Sequence, residues 1–168
     1  PNSTAREDFP PISVLVAARN EEGNLPALLH ALRQQCYPHY EIVVVDDASE
    51  DATSRLVEHA AQKDGRLRLV RVTKPMAPRK KNALTIGAEQ TAHEFLALTD
   101  ADCAPPPRWL EGIAGYLYNA PSSPNLLVGY SPFRRASGPL NLFARYETFV
   151  TGFFTAAAIG LGKPYMAV

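Results

Sequence analysis

Short β-branched runs alternate with helix-patterned stretches along the first hundred residues, and this alternation restricts the possible folds more than any other feature. Strand candidates fall at residues 12–16 (ISVLV), 41–45 (EIVVV), 67–72 (LRLVRV) and 95–99 (FLALT). Continuous apolar runs of this length suit strands covered on both faces, as in parallel sheets. Between the first two, Leu25, Leu28, Leu29 and Leu32 recur at i, i+3, i+4 and i+7, with Pro26 tolerable in a first turn. That spacing predicts an amphipathic helix over residues 22–35. Ser49 is the expected N-cap of a second helix reaching about Lys63. A third helix is expected over residues 80–91 and a fourth over 107–117. The resulting order predicts an α/β fold: an open, mostly parallel sheet with right-handed crossovers and helices on both faces.

In such sheets ligands bind beyond the carboxyl ends of the strands, near the point where strand order reverses. Three polar clusters stand at those ends. Ala17-Ala18-Arg19-Asn20-Glu21-Glu22 follows the first strand, Asp46-Asp47-Ala48-Ser49-Glu50-Asp51 the second, and Asp100-Ala101-Asp102-Cys103 the fourth. Any one cluster alone could be an ordinary turn, since Asp and Asn favour turns and caps. Their joint placement at one edge points to a site. Asp100 and Asp102 are two apart, and in extended backbone residues i and i+2 face the same side. Two hard oxygen ligands with open positions suit Mg²⁺ or Mn²⁺ shared with substrate phosphates. Such an ion would neutralise a diphosphate leaving group. After the third strand, Lys74 to Asn82 carries Arg79, Lys80 and Lys81 at the start of a helix, where basic side chains and helix N–H groups can meet phosphate. For Arg79 and Lys81 taken singly, a solvated basic loop is the expectation.

Composition removes several classes. Lys plus Arg is 17 and Asp plus Glu is 17, so the zero net charge argues against an electrostatic nucleic-acid binder. Neither GxGxxG nor GxxxxGK[ST] occurs, which disfavours dinucleotide oxidoreductases and P-loop NTPases. Cys36 and Cys103 have no metal-ligand or disulfide-scaffold spacing, so a reducing compartment is expected. The opening residues 1–8 are polar, unlike a secretory signal. Residues 149–162 are uncharged but shorter than the roughly 20 residues that span a bilayer. This stretch reads either as an interfacial segment or as a helix packed on the core. Residues 131–138, with Arg134 and Arg135, read as a solvated loop that could also touch an acceptor or lipid phosphate.

Four motifs in order, ISVLVAARNEEGNLPALLHAL, EIVVVDDASEDAT, RKKNALTIGA and FLALTDADCAPPPRWL, resemble glycosyltransferase family 2, which has the GT-A fold. The resemblance extends from about Pro11 to the end of the chain, and PLNLFARYETF and GKPYMAV resemble segments of bacterial members that continue into membrane helices. It implies a tail over residues 1–10 and a GT-A domain over 11–168. It implies that Ala17, Arg19, Asn20 and Glu21 hold the base and ribose, that Asp47 accepts from uracil N3–H, and that Asp46 is structural. Lys80 matches the lysine of the family's GKxxAL motif, with Arg79 where glycine is usual and Thr85 where many members have Asn. Asp100 and Ala101 match donor-binding positions. Asp100 lies near ribose and metal, and Asp102 binds the metal directly.

The implied reaction moves a sugar from a nucleotide diphosphate, most often a UDP-sugar, to a saccharide or lipid hydroxyl with inversion. It needs a general base, usually an Asp, and in relatives that base lies downstream of the stretch matching residues 163–168. Glu147, His30, His39, His59 and His93 are poor substitutes, because none adjoins the metal motif. The chain is therefore expected to bind donor and to transfer sugar little or not at all alone. The resemblance also implies membrane association through parts outside this chain, on the cytoplasmic side of the inner membrane. The rival expectations are a non-catalytic nucleotide-sugar-binding module and a receiver-like phosphoacceptor domain, the latter suggested by VVVDDAS.

Overall fold

The computed structural model describes residues 9–119, 127–133 and 135–161. Residues 1–8, the prolines at 121 and 124, Arg134 and residues 163–168 lie outside the described residues. The chain divides into two compact units, Pro1–Ser123 and Pro124–Val168.

The first unit is built on β1 (Ile12–Ala18), α1 (Leu25–Arg33), β2 (Tyr40–Asp46), α2 (Thr53–Ala61), β3 (Leu67–Arg71), α3 (Arg79–Ala88), β4 (Phe95–Leu98) and α4 (Trp109–Asn119). All strands are parallel in the order β3-β2-β1-β4. Ile12 pairs with Tyr40 on one side and with Phe95 on the other. The chain moves outward from β1 to β3, then crosses back to place β4 on the free side of β1. Strand order therefore reverses between β1 and β4, and the expected α/β architecture is the one observed.

Alternation along the strands divides the core in two. Ile12, Val14, Val16, Ile42 and Val44 pack with Leu25, Leu28 and Leu32 of α1, Val57 of α2, and Leu110 and Ala114 of α4. Leu15, Val43 and Val45 face the opposite way and meet Ala83, Leu84 and Ile86 of α3. Both faces of β1 and β2 are thus covered, which is why these strands read as unbroken apolar runs. β4 is less enclosed: Ala97 is buried while Leu96 and Leu98 are exposed.

Three of the four helices of the first unit begin later than the sequence pattern suggests. α1 starts at Leu25, because residues 21–24 form a turn in which Asn24 N–H donates to the Glu21 carbonyl. Ser49 does not cap α2. That helix starts at Thr53 after Ala52, and the Ser49 hydroxyl instead accepts from Asn20 N–H. α3 begins at Arg79, one residue before the expected start, and follows a cis Ala77–Pro78 peptide.

The second unit contains α5 (Pro139–Gly160), 22 residues long with none of them buried. Leu142, Phe143, Tyr146, Phe149, Phe153 and Phe154 are all exposed. No helix among the described residues is long and apolar enough to cross a membrane.

Gly87 sets how closely α3 approaches the sheet. A Cβ there would lie 2.5 Å from both Leu15 Cδ1 and Val45 Cγ2. Gly87→Val is expected to lower unfolding free energy by about 2 kcal/mol, the usual scale of overpacking, measured by urea denaturation. A second expectation concerns acid. Burial pushes the Glu41 carboxyl up, but hydrogen bonds from Ala92 N–H, the Ser13 hydroxyl and Arg68 outweigh it and hold the group below its ordinary value. A depressed carboxyl stabilises the fold above its unfolded pKa and loses that contribution as pH falls through the folded value. Stability should therefore fall on acidification below the ordinary glutamate value of 4.5. Glu41→Gln should flatten that part of the pH–stability curve.

Candidate functional site

The turns after β1 and β2 are bonded to each other before they can meet any ligand. Asn20 N–H donates to Ser49 Oγ at 2.9 Å, Glu21 N–H to Thr53 Oγ1 at 2.8 Å, and Glu22 N–H to Asp51 Oδ2 at 3.1 Å. In return Glu50 N–H donates to Asn20 Oδ1 and Ala52 N–H to Glu22 Oε2, both at 2.8 Å. Asn20 and Ala48 both have positive φ, 55° and 54°. Asn tolerates the left-handed region better than most residues, which explains its use at this bend. Desolvation pushes the Asp51 carboxyl up, yet hydrogen bonds from Thr53 and the Glu22 N–H hold it below its usual range.

The two adjacent aspartates after β2 have separate environments. Asp46 Oδ1 accepts from Ser49 N–H at 3.2 Å and Oδ2 from the Ser54 hydroxyl, so its carboxylate organises the turn. Asp47 is only 4% exposed. Its Oδ2 accepts from Arg79 Nε at 2.7 Å, and its backbone carbonyl from Arg79 Nη2 at 2.6 Å. Its Oδ1 is buried without a partner. A buried carboxylate oxygen left one hydrogen bond short costs about 1–3 kcal/mol, which a ligand N–H would recover. The hydrogen bond to Asp47 also raises the Arg79 pKa above its already high ordinary value.

A cleft of about 340 Å³ opens at this edge of the sheet, lined by Ala17, Ala18, Arg19, Glu21, Asp47, Arg79, Lys80, Ala83, Asp100, Ala101 and Asp102. Lys80 Nζ donates to Asp100 Oδ1 at 2.7 Å. Cys103 N–H donates to the Asp100 carbonyl at 3.2 Å. Asp100 and Asp102 therefore sit in a turn beyond the end of β4, not in extended backbone, and the i, i+2 argument does not describe their geometry. They line one cleft all the same. The prolines that follow are tied down by Gln35, whose amide donates to the Pro106 carbonyl at 2.8 Å and whose oxygen accepts from Leu110 N–H.

Of the residues singled out in the sequence, Ala17, Arg19, Glu21, Asp47, Lys80, Asp100, Ala101 and Asp102 line this cleft, while Asn20 does not. The Asn20 side chain accepts from Glu50 N–H, on the loop side of the turn. Arg79, expected as solvated loop, is the residue that sequence reasoning missed. Its only signal was its place beside Lys80 at the start of a helix. Among the described residues no three His, Cys, Asp or Glu side chains form a metal cage. The donor set at the cleft, two carboxylates with room beside them, fits a hard divalent ion that keeps waters or phosphate oxygens as ligands. A larger hollow of about 440 Å³ in the second unit is mainly apolar, with Glu147 as its one carboxylate lining residue.

Residues 13–148 match the family described as Glycosyl transferase family 2. The undecaprenyl-phosphate 4-deoxy-4-formamido-L-arabinose transferase of Pseudomonas aeruginosa is 34% identical over 99 residues, which is 57% of this chain and 29% of that protein. The chain spans about a third of the length of the curated relatives it matches. Among solved structures, the mannosyltransferase PcManGT of Pyrobaculum calidifontis, in complex with GDP-Man and Mn²⁺, aligns with TM-score 0.60 and 30% identity over 67% of this chain and 33% of that one. TarS 1–349 of S. aureus in complex with UDP-GlcNAc aligns with TM-score 0.56 and 28% identity over 64% and 31%.

The bonded turns generate a test. Asn20→Ala removes both the acceptor for Glu50 N–H and the residue type best suited to positive φ, and should cost about 1–2 kcal/mol in urea unfolding. Asn20→Asp, which keeps both features, should cost less than half as much.

Proposed function

The chain belongs to glycosyl transferase family 2, and on that premise we propose that its first unit binds the donor of a nucleotide-sugar-dependent, inverting glycosyltransferase. One observation carries the reading: a single cleft at the carboxyl edge of the sheet gathers Asp47 from the loop after β2, Lys80 from α3, and Asp100 and Asp102 from the turn after β4. These groups arrive from three separate segments of the chain, and together they offer an acceptor for a base, a cation for phosphate and two hard ligands for an ion.

The base lies toward Asp47, whose unpartnered Oδ1 is the complement of a base N–H. Arg19 and Glu21 flank it from the bonded first turn, with Ala17 leaving room for the base and ribose. Lys80 serves the diphosphate. Asp100 and Asp102 would hold Mg²⁺ or Mn²⁺, and Ala101 between them lines the same cleft. Bound there, the ion supplies charge neutralisation of the diphosphate leaving group. The Mn²⁺ and GDP-Man in PcManGT, and the UDP-GlcNAc in TarS, support a metal-assisted diphosphate donor. UDP-sugar is the proposed donor. The acceptor is a saccharide or a lipid, and the undecaprenyl phosphate in the name of the Pseudomonas relative favours a lipid-linked one. In this reading the whole protein works at the cytoplasmic face of a membrane.

Calorimetric titration of the chain with UDP, GDP, ADP and CDP in the presence of Mn²⁺ tests the proposal. UDP is expected to bind. Asp47→Ala should weaken it by about 10- to 100-fold, the scale of a hydrogen bond to a charged group. Asp102→Asn should remove the Mn²⁺-dependent part of the affinity. Failure of every nucleotide to bind would end the reading.

A further inference from the structure

Lys80 has two claims on it. It lies at the start of α3 facing the donor cleft, yet its ammonium donates to Asp100 Oδ1 at 2.7 Å. Lys80 engages Oδ1, and a divalent ion on Asp100 would draw on the same carboxylate charge. The two cations compete for one ligand, and both cannot hold Asp100 at full strength.

The exposure of the pair decides who yields. The Lys80 and Asp100 side chains are 65% and 58% exposed. A pair this open contributes no more than a factor of about five to an equilibrium constant. A divalent ion with Asp100 and Asp102 as ligands therefore displaces the ammonium at small cost. The contrast with Arg79 is instructive. Its partner Asp47 is only 4% exposed and is held through both Nε and Nη2, so that pair is the fixed one. Lysine carries its charge on a flexible four-carbon stem with three rotatable donors, which suits a group that changes partner.

We propose that Lys80 is a transferable cation: it neutralises Asp100 when neither ion nor donor is present, is released when a divalent ion takes Asp100, and then ligates the donor diphosphate. This rests on the donor-site reading above and adds to it a coupling between ion and nucleotide that runs through one side chain. By linkage the ion must favour nucleotide binding as much as the nucleotide favours the ion. The proposal also gives removal of Lys80 effects of opposite sign. The ion gains a freed carboxylate, while the diphosphate loses a cation.

Calorimetry on the chain reads both arms, with Mn²⁺ alone as one probe and UDP at saturating Mn²⁺ as the other. Should the wild-type chain reject uracil, GDP takes the place of UDP. Lys80→Met is expected to bind Mn²⁺ alone about two- to fivefold tighter than wild type. It should bind the nucleotide about tenfold or more weakly, the loss of one charge-assisted contact. Lys81→Met removes the same charge one residue further along α3, where the side chain is exposed and does not line the cleft. It should move each affinity by less than twofold. Unchanged or weaker Mn²⁺ binding by Lys80→Met overturns the proposal, as do unchanged nucleotide binding or equal effects of the two lysine substitutions. A wild-type chain that takes up neither Mn²⁺ nor nucleotide overturns the donor-site reading itself. Uptake of both with no opposite-signed response at Lys80 overturns only the exchange.

Discussion

Parallel pairing of β1 on both of its sides is the constraint from which the rest follows. Once β2 and β4 both run in register with β1, their carboxyl ends must emerge at one edge, and the loops that follow must share that edge. Because strand order reverses between β1 and β4, no connection covers the gap there, and a crevice forms by topology alone. The apolar content of the strands is thus linked directly to the site. Val14, Val16, Val43 and Val45 bury both faces of the central pair, and the acidic residues that line the cleft appear where the strands leave the core.

The acidic residues at that edge divide by function in the fold. Asp46 and Asp51, with Glu22, are occupied by N–H and hydroxyl donors of the two turns, and so they shape the rim of the crevice. Asp47, Asp100 and Asp102 line it. The separation is physical. Backbone N–H groups left over at the start of a helix need acceptors, and the nearest carboxylates supply them before any ligand arrives. Thr53 shows the same economy: fully buried at the first position of α2, it offers its hydroxyl oxygen to Glu21 N–H in the neighbouring turn.

The fold was legible because it is governed by patterns of two and of three to four residues, which a sequence displays openly. The four strands and four helices of the first unit lie close to where the sequence pattern puts them, with helix starts displaced by one to three residues, and the acidic clusters fall at the strand ends. Pairings between turns were not legible. Ser49 looks like a helix cap because it precedes an apolar helical pattern, and only the proximity of Asn20, 29 positions away, shows its actual partner. The same limit hid the Arg79–Asp47 pair, separated by 32 residues. The turn at Asp100 was missed for a different reason: β4 ends at Leu98, so the rule that alternate side chains share a face had already lapsed two residues earlier. α5 was ambiguous because an apolar stretch looks the same in sequence whether it is buried or exposed. Its Phe143, Phe149 and Phe153 are on the surface.

The charges of the cleft explain why an ion and an anionic donor should belong together there. Its lining carries three cationic side chains, Arg19, Arg79 and Lys80, against four carboxylates, Glu21, Asp47, Asp100 and Asp102. Arg79 is tied to the most buried of those carboxylates, which leaves Arg19 and Lys80 facing Glu21 and the two acids beyond β4. A diphosphate entering this surface unaccompanied meets more negative than positive charge, and the low dielectric of a partly enclosed cleft enlarges the repulsion. On the proposed function, a divalent ion on Asp100 and Asp102 would reverse the balance and would set Lys80 free in the same act. In that reading the carboxylates that would repel the donor would become, through the ion, the means of holding it, and a chain of zero net charge would gain a locally anion-attracting surface only with the cation bound.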